Sequence, residues 1–424
     1  MTTAKKHIAI SITEGRTIRD LFYNGLLDYL REAGFDLTVF TEAVDVPAFT
    51  QEWPDVEFVY LKPYELNRGQ KRAFSVRRSL IRRRALRPLL KRWLRFEEQR
   101  FHPPHPRYAE VLRERGTSLL LATHAHLARE MQVISTAHSL GIPTLGIVRS
   151  WDNVYKGIRA RPQHLAVWNE VNRQEVLDFE GYAPDHVHIV GSPQFDPYFA
   201  EDAIWPREKF FEHFELDPMR PVILFATKGY FIAGNDETVW MDALVEALNA
   251  GQIDGQPQVI CRLHPWSRYE HFEKYAAHPD VRLSYVNRYW PALTWYMTRD
   301  DVVEMANMMH HSALTITPGS TVTLEAAIFD RTTIVPIFHT YQPERMADYF
   351  ATWVLGKHYG RLAKNDLVPI VRMVEDYAPA INRALAEPAW YRDQRAQLVR
   401  DYVHYTDGQS TKRLAELAVK LARQ

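Results

Sequence analysis

The sequence predicts an α/β protein of two domains, each built on a parallel sheet, followed by a helical tail. Short runs rich in Val, Ile and Leu alternate with longer amphipathic stretches, which is the pattern of βα units. The alternation runs in two series separated by a turn-rich segment at 191–198 that contains two prolines, and from about 366 the pattern is helical only. At 424 residues the chain has room for two or three domains of about 100–200 residues each.

Each series supplies the strands of one predicted sheet. The first series predicts helices over 18–32, 130–140 and 170–179, and strands at 7–12, 37–41, 57–61, 118–123, 144–148, 164–168 and 187–190. The second predicts helices over 237–249, 301–310 and 321–329, and strands at 222–227, 258–263, 281–286, 313–317 and 332–337. The predicted domains are therefore 1–195 and 196–390, with further helices over 391–424.

The composition excludes several classes of protein. Hydrophobic residues make up 46% and charged residues 25%, which excludes a disordered chain. A single cysteine, Cys261, excludes a disulfide framework and any CxxC-type metal site. The first fifteen residues contain no long apolar region, and no apolar run approaches the roughly 20 residues needed to cross a bilayer. We therefore expect a protein of the reducing cytoplasm.

The charge is balanced overall, with 52 basic and 52 acidic residues, but it is unevenly distributed. Residues 68–100, called here the basic segment, hold 13 Lys or Arg against only Glu97 and Glu98. This segment fits an amphipathic helix on an anionic membrane face or acceptor. It also fits a solvated helix packed on its aliphatic side. An Arg-rich nucleic-acid arm is the least favoured interpretation, because no recognition motif accompanies it, and we expect no nucleic-acid partner.

A strand–turn–helix pattern in the second series indicates an anion site. A strand ends before Pro318 and Gly319, which form a tight turn, and Ser320 or Thr321 then caps a helix. A helix start offers unpaired N–H groups and the positive end of the helix dipole, and glycine lets an anion approach the backbone. Glu325 follows about one turn later, placed to bind a sugar hydroxyl. The alternative interpretation is an ordinary capped helix.

Two further polar residues follow strands of the same series. Lys228 comes after the strand at 222–227, and His264 comes after the strand at 258–263. Parallel sheets bind ligands at the carboxyl ends of their strands, and a cation beside a histidine suits a diphosphate. The alternatives are a solvated turn lysine and a loop histidine beside a proline.

Over about 140–350 the chain resembles the GT-B glycosyltransferases of the bacterial cell envelope, among them lipid-A-disaccharide synthase, the MurG-type transferase and the CDP-glycerol glycerophosphotransferases. In those families a Gly–Ser/Thr turn holds the donor diphosphate and a Glu on the following helix binds ribose. Gly319, Ser320, Thr321 and Glu325 stand in those places. Leu-His-Pro at 263–265 resembles the LHP of the glycerophosphotransferases, where the His contacts phosphate.

The resemblance implies two Rossmann-like domains facing across a cleft. The domain at 196–390 would hold a nucleotide-activated sugar, and the domain at 1–195 would present the acceptor. The helices over 391–424 would pack back on the N-terminal domain. The resemblance also implies that no metal or other cofactor is needed, because the helix dipole and basic side chains hold the diphosphate. The pairs His124/His126 and His310/His311 have no carboxylate or thiol at ligand spacing.

The candidate base in the first domain follows the strand at 144–148. Glycerophosphotransferases place a catalytic His there in Trp-His-Gly, whereas this chain has Trp151-Asp152-Asn153. The missing His argues against polyol-phosphate transfer and makes Asp152 the first candidate for general base. Trp151, Asn153 and Lys156 are candidates for acceptor contact. The alternative is an Asx turn in which Asp152 and Asn153 bond local backbone.

A second candidate base follows the first strand. Glu14, Gly15 and Arg16 form a turn after the strand at 7–12. In GT-B acceptor domains this loop commonly lies over the acceptor, so Glu14 is a rival to Asp152, and Gly15 and Arg16 are candidates for acceptor binding. An ordinary turn is an equally good interpretation of these residues.

Together these observations predict a glycosyltransferase that moves a sugar from a nucleotide-activated donor to a hydroxyl of a glycan or glycolipid in envelope polysaccharide synthesis. It would be cytoplasmic, with the basic segment holding it to the inner face of the membrane. Three alternatives stay open: a CDP-polyol phosphotransferase that depends on His264, a UDP-sugar 2-epimerase, and a non-catalytic protein that binds sugar nucleotides or the membrane.

Overall fold

The computed structural model describes residues 6–83, 86–152, 154–200, 202–229, 237–286, 293–340, 344 and 359–424. The chain forms two compact units. The first unit comprises Met1–Asp196, Tyr289–Tyr296 and Asp407–Gln424. The second comprises Pro197–Arg288 and Met297–Thr406.

The first unit contains a seven-stranded parallel sheet, and each strand overlaps a run that the sequence predicts as a strand. The strands that begin at Lys6, Phe35 and Thr117 start one or two residues earlier than predicted. The strands are β1 (Lys6–Ile12), β2 (Phe35–Thr41), β3 (Glu57–Tyr60), β4 (Thr117–Ala122), β5 (Thr144–Ile147), β6 (His164–Val167) and β7 (Val187–Ile189). Their order across the sheet is β3-β2-β1-β4-β5-β6-β7. After β3 the chain crosses back to place β4 beside β1, so the strand order reverses between β1 and β4.

The second unit contains a six-stranded parallel sheet with the equivalent order. Its strands are β8 (Val222–Ala226), β9 (Gln258–Leu263), β10 (Val281–Tyr285), β11 (Leu314–Ile316), β12 (Thr332–Pro336) and β13 (Ile370–Val371), in the order β10-β9-β8-β11-β12-β13. The prediction of helices only beyond about 366 is wrong at β13, where Ile370 pairs with Val335. Two residues are too few to show a strand period, so this strand depends on its neighbour rather than on a local pattern.

Helices connect the strands in both units. The α-helices of the first unit are α1 (Leu26–Glu32), α2 (Pro47–Thr50), α3 (Arg68–Arg82), α4 (Arg87–Phe101), α5 (Pro106–Glu114), α6 (Met131–Ser139), α7 (Glu170–Glu180) and, near the end of the chain, α16 (Ser410–Arg423). Those of the second unit are α8 (Arg207–His213), α9 (Thr238–Asn249), α10 (Tyr269–Phe272), α11 (Arg299–His311), α12 (Val322–Ile328), α13 (Gly360–Lys364), α14 (Tyr377–Ala386) and α15 (Arg392–Leu398). Short 3₁₀ helices span Ala128–Glu130, Val154–Lys156, Pro184–His186, Pro193–Phe199, Glu273–Ala277 and Val374–Asp376.

Two segments differ from the sequence prediction. The single helix predicted over 18–32 is divided into a π-helical turn at Ile18–Phe22 and helix α1, because Gly25 adopts φ 82° between them. The turn-rich segment at 191–198, whose two prolines predict an interruption of helix and strand, contains a 3₁₀ helix at Pro193–Phe199 that Pro193 opens and that has Pro197 inside it. Proline is tolerated at the first position, where its missing N–H has no intrahelical partner to lose.

Both faces of the first sheet are buried, as a parallel sheet requires. On one face Ile8, Ile10 and Ile12 pack with α1 and with Leu414 of α16. On the other face Ala9 and its neighbours pack against α5 and α6. The last helix is also held by polar contacts, because the carboxylate of Asp196 accepts the backbone N–H groups of Ser410 at 3.0 Å and Thr411 at 2.7 Å.

The core of the second unit centres on β8. Leu224 is buried there against Phe210 of α8, Met308 of α11 and Ala326 of α12. This packing fixes α12 behind the strand that precedes it, so the turn between β11 and α12 has a defined place at the carboxyl edge of the sheet. Within the described part of the chain, no helix is long and apolar enough to cross a membrane.

Candidate functional site

Each sheet has a point at which the strand order reverses, and open α/β sheets bind ligands outside the strand ends at such a point. In the first unit the point lies between β1 and β4, and in the second between β8 and β11. Most of the residues that the sequence singles out follow one of these four strands. The topology therefore brings together residues that are about 90 to 110 positions apart in the sequence.

Lys228 and Gly319 meet at the reversal point of the second unit. Lys228 follows β8 and Gly319 follows β11, and Nζ of Lys228 donates a hydrogen bond to the backbone carbonyl of Gly319 at 2.9 Å. The loop that carries Lys228 is held by Glu237, whose carboxylate accepts the N–H of Lys228 at 2.8 Å and the N–H of Gly229 at 3.2 Å. A cation is thus fixed beside the turn that the sequence predicts as a phosphate site.

The turn from β11 to α12 carries a side-chain cap from one of the two residues, Ser320 and Thr321, that the sequence offers. Ser320 Oγ accepts the N–H of Val322 at 3.3 Å and lies 3.2 Å from the hydroxyl of Thr317. Thr321 occupies the cap position, but its side chain makes no cap hydrogen bond. Ser320 is therefore the capping residue of the two that the sequence offers.

Gly319, which follows Pro318, has two structural reasons to be glycine. It adopts φ 79°, and a Cβ there would lie 3.2 Å from the ring of Tyr359. The hydroxyl of Tyr359 is 2.7 Å from that of Thr323 in α12, which fixes the ring against the turn. Glu325 lies on the same helix and is buried.

His264 presents a defined nitrogen from the end of β9. Thr227 Oγ1 accepts the N–H of His264 at 2.7 Å and contacts the hydroxyl of Ser267 at 2.7 Å, which ties this turn to the end of β8. The N–H of Trp266 donates to Nδ1 of His264 at 3.1 Å. Because Nδ1 accepts this bond, the proton of the neutral ring lies on Nε2, and His264 offers an N–H donor.

Glu14, Arg16 and His124 meet at the reversal point of the first unit. Arg16 donates from Nε to Glu14 at 2.5 Å and from Nη2 to Nε2 of His124 at 2.8 Å. The Glu14 carboxylate also lies 3.7 Å from His124. Burial, and then the charge of Arg16, hold the pKa of His124 well below its ordinary value, so the ring is neutral. His124 follows β4 in the sequence, and its contact with Glu14 and Arg16 becomes visible only when β4 pairs with β1.

The turn after β1 packs closely on the segment at 293–296. Gly15 donates its N–H to the carbonyl of Thr294 at 2.7 Å, and a Cβ at Gly15 would lie 2.7 Å from the Cα of Tyr296. The guanidinium of Arg16 lies 4.4 Å from the ring centre of Trp295. Gly15 therefore permits this close approach of two backbones, and Arg16 is held between an aromatic face and a carboxylate.

Glu130 fixes the loop after β4. Its buried carboxylate accepts the N–H of Thr123 at 3.1 Å and that of His124 at 2.8 Å. Burial raises the pKa of Glu130 to about 7, although these two hydrogen bonds favour the carboxylate. Glu130 and Glu237 have the same role in the two units, since each holds the backbone of a loop that carries a candidate site residue.

The carboxylate of Asp152 interacts electrostatically with His126, which lies in another loop of the first unit. The hydroxyl of Ser150 donates to Asp152 at 2.5 Å, and the Asp152 side chain is buried. His126 donates from Nδ1 to the carbonyl of Gly157 at 3.1 Å. Burial lowers the pKa of His126 to about 4, and the charge of Asp152 opposes this shift. Asp152 is therefore part of a polar cluster that also contains a neutral histidine.

The remaining acceptor candidates lie in different surroundings. Trp151 is 2% exposed, and its carbonyl accepts a bond from Asn172 at 2.9 Å, so the ring packs inside the unit. Lys156 is exposed on the 3₁₀ helix Val154–Lys156. Asn153 lies outside the described residues.

The histidine pairs do not form metal sites in the described part of the chain. No group of three or more His, Cys, Asp or Glu side chains is arranged there to hold a metal ion. His311 bonds the carbonyl of Trp205 at 2.9 Å and stacks on Phe210, and His310 packs edge-on against Phe329. These two histidines belong to the packing of α11 rather than to the candidate site.

Comparisons with known proteins find likeness at the level of structure. No family model matches the chain, and no curated protein matches it. Among solved structures it is similar to UDP-GlcNAc 2-epimerase from Neisseria meningitidis bound to UDP-GlcNAc, with a TM-score of 0.58 and 12% identity over 98% of this chain and 100% of that one. The chain has a GT-B-like fold.

Two other solved structures support the same fold. A glycosyltransferase from Rickettsia africae matches with a TM-score of 0.57 and 12% identity over 100% of both chains. The wall teichoic acid polymerase TagF with CDPG matches with a TM-score of 0.57 and 12% identity over 99% of this chain and 89% of that one. The GT-B fold expected from the sequence is therefore confirmed, including the parallel order of both sheets.

Proposed function

We propose that the protein is a glycosyltransferase that uses a nucleotide-activated sugar in the synthesis of an envelope glycan. The observation that carries this proposal is the hydrogen bond between Lys228 and Gly319 at the reversal point of the second sheet. A fixed cation, a glycine turn and the N–H donor of His264 suit a diphosphate, the group that must be stabilised when the donor bond breaks. The similar structures include proteins with UDP-GlcNAc or CDPG bound.

In this proposal the diphosphate lies at the turn after β11. Lys228 supplies the positive charge, Ser320 and Thr321 supply hydroxyl and backbone donors, and His264 donates from Nε2. Glu325 on α12 accepts hydrogen bonds from the ribose. Charge-assisted hydrogen bonds of this kind contribute about 1.5–3 kcal/mol each, which is enough to hold a nucleotide without a metal ion.

The proposed reaction is a displacement at the anomeric carbon. The acceptor hydroxyl loses its proton to a carboxylate, its oxygen bonds to the anomeric carbon, and the bond from that carbon to the diphosphate oxygen breaks. The nucleoside diphosphate leaves with the electron pair. We assign the base to Asp152 first, because Glu14 would have to leave the Arg16 guanidinium before it could act.

Transfer of label tests this proposal. Radiolabelled UDP-, GDP-, CDP- and dTDP-sugars are incubated with the full chain and a bacterial envelope lipid extract, and label in the lipid phase is counted. We expect label from one nucleotide class, and Asp152→Asn to lower the transfer at least about a hundredfold. Asp178→Asn, an exposed carboxylate of α7, is the matched control. Absence of transfer from every donor would contradict the proposal.

Epimerisation of a nucleotide sugar is the second candidate. The observation that favours it is the set of acid and base groups at the strand ends of the first sheet, with Glu14 and His124 3.7 Å apart. UDP-GlcNAc 2-epimerases are also among the similar structures. An epimerase converts the donor without any acceptor and releases no nucleoside diphosphate during the conversion, so chromatography of the donor separates the two activities. Retention of phosphate on the product would instead identify a polyol phosphotransferase.

We also propose a peripheral position on an anionic membrane, through the basic segment. The segment forms α3 and α4, and its two acidic residues are engaged within the unit. Glu97 is buried 3.4 Å from Arg77, and Glu98 pairs with His138 at 2.5 Å. Among the side chains of this segment that the structure describes, the exposed basic ones are Arg68, Lys71, Arg72, Arg82, Arg83, Arg92, Arg95 and Arg100.

Helix α4 also exposes apolar side chains beside these basic residues. Leu89 and Phe96 are each 50% exposed and lie two turns apart on one helix face. Exposed apolar side chains among arginines are typical of helices that lie in a membrane interface. Flotation with phosphatidylglycerol vesicles tests this: Arg92→Glu with Arg95→Glu should abolish binding, whereas Lys412→Glu with Lys420→Glu in α16 should leave it intact. Equal effects of the two pairs would contradict a specific surface.

A further inference from the structure

One large aromatic side chain is exposed at the strand ends of the second sheet. Trp266 follows β9 and is 43% exposed, whereas the other large aromatic side chains described in the second unit are buried or half-buried. Its position beside His264 places it at the same edge as the proposed diphosphate site. An exposed indole at a ligand-binding edge offers a flat apolar surface to whatever binds there.

The backbone under Trp266 is held firmly. The N–H of Ser267 donates to the carbonyl of His264 at 2.7 Å, which closes a turn with Trp266 inside it. Gly229 packs against this turn, since a Cβ at Gly229 would lie 3.0 Å from the Cβ of Trp266. Trp266 therefore stands next to the residue that follows Lys228, and its ring lies edge-on to that of His264, with 6.1 Å between the ring centres.

The strand order gives the direction in which a bound donor runs. The sheet order is β10-β9-β8-β11-β12-β13, and the proposed diphosphate site lies between β8 and β11. Glu325, the proposed ribose ligand, is on α12, between β11 and β12 in the chain. If the nucleoside lies on the β11 side, the group on the far side of the diphosphate extends toward β9, where Trp266 is located.

We propose that Trp266 is the surface on which the transferred pyranose of the donor stacks. This inference rests on the proposed function. One face of a pyranose carries several C–H groups and is apolar, so it fits against an indole while the hydroxyls point outward. An acyclic polyol has no ring face to offer. The exposed indole thus supports a sugar rather than a polyol as the transferred group.

Calorimetry on the full chain tests the inference with four pairs of ligands: UDP, GDP, CDP and dTDP, each with its glucosyl form. For the nucleotide that binds, we expect Trp266→Ala to weaken the binding of its glucosyl form by about tenfold. This is the loss of affinity expected when a modest apolar contact is removed. The affinity for the nucleoside diphosphate without the sugar should change less than about twofold. Trp266→Phe should restore most of the loss, and Phe179→Ala, an exposed aromatic of the first unit, should have no effect.

The outcomes separate this inference from the proposed function. An equal loss for the nucleoside diphosphate and its glucosyl form would overturn the inference, because it would show that Trp266 supports the turn or the nucleotide. Unchanged binding of both would overturn it as well. If the unaltered chain binds none of the four nucleotides, the proposed function fails and the inference fails with it. Unchanged thermal unfolding of Trp266→Ala verifies that the turn has kept its structure.

Discussion

Glu130 makes the stability of the first unit depend on pH in a direction that is unusual for a carboxylate. Its side chain is fully buried, and burial raises its pKa from 4.5 to about 7. Between these two values the folded chain holds a proton that the unfolded chain has released. Raising the pH through this window therefore favours the unfolded state, and the stabilisation present at pH 4.5 is lost by about pH 8.

The size of the effect follows from the shift in pKa. A shift from 4.5 to about 7 corresponds to about 3 kcal/mol, at 1.36 kcal/mol for each pKa unit. We expect the difference in unfolding free energy between the unaltered chain and Glu130→Gln to change by about 3 kcal/mol from pH 4.5 to pH 8. The unaltered chain should gain relative stability at the acidic end.

Urea unfolding at a series of pH values measures this difference. Glu114→Gln, an exposed carboxylate of the same unit, is the control and should follow the unaltered chain at every pH. Hydrogen exchange of the segment at 117–131 should show the same pH dependence locally, because Glu130 holds the N–H groups of Thr123 and His124. Parallel pH profiles for the unaltered chain and Glu130→Gln would refute the reasoning.

Three further predictions follow from single contacts. Glu237→Gln should weaken nucleotide binding by about tenfold in calorimetry, because the loop of Lys228 loses its charged acceptor; an unchanged affinity would contradict this. Arg77→Met should cost about 3–5 kcal/mol in urea unfolding by leaving Glu97 buried without its ion pair, and adding Glu97→Leu should recover most of that cost; no recovery would contradict the assignment of the cost to Glu97. Gly15→Ala should cost at least about 1–3 kcal/mol through overpacking on Tyr296, and an unchanged melting temperature would contradict that close approach.

The fold could be predicted from the sequence because parallel strands that are buried on both faces appear as short apolar runs. The run of β8 is continuously apolar and that of β4 ends in four apolar residues, so these strands could be placed to within one or two residues. The two-residue strand β13 has no such pattern, and it forms because β12 offers an edge to pair with. The division of the predicted helix at 18–32 depends on the conformation of Gly25, which composition alone does not specify.

The residues of the candidate site could be predicted from the sequence where a polar residue directly follows a strand. Lys228 and Gly319 could be named on that basis, and the sheet order brings them together. Glu130 and Glu237 were missed because their function is to hold the backbone of a loop. In sequence each is only an acidic residue near the start of a helix, where acidic residues are common for electrostatic reasons. Their partners become visible only once the loops are folded.

A thermal-shift panel is the most direct test of our proposal that the second unit binds a nucleotide at the turn after β11. UDP, GDP, CDP, CMP and dTDP are added to the full chain with and without magnesium. A ligand at 100 times its dissociation constant stabilises by about 2.7 kcal/mol, which raises the melting temperature measurably. We predict a shift with one nucleotide class, independent of magnesium, and a loss of about 1–3 kcal/mol of binding in the double variant Ser320→Ala, Glu325→Ala. No shift with any nucleotide, or a full shift in the double variant, would contradict the proposal.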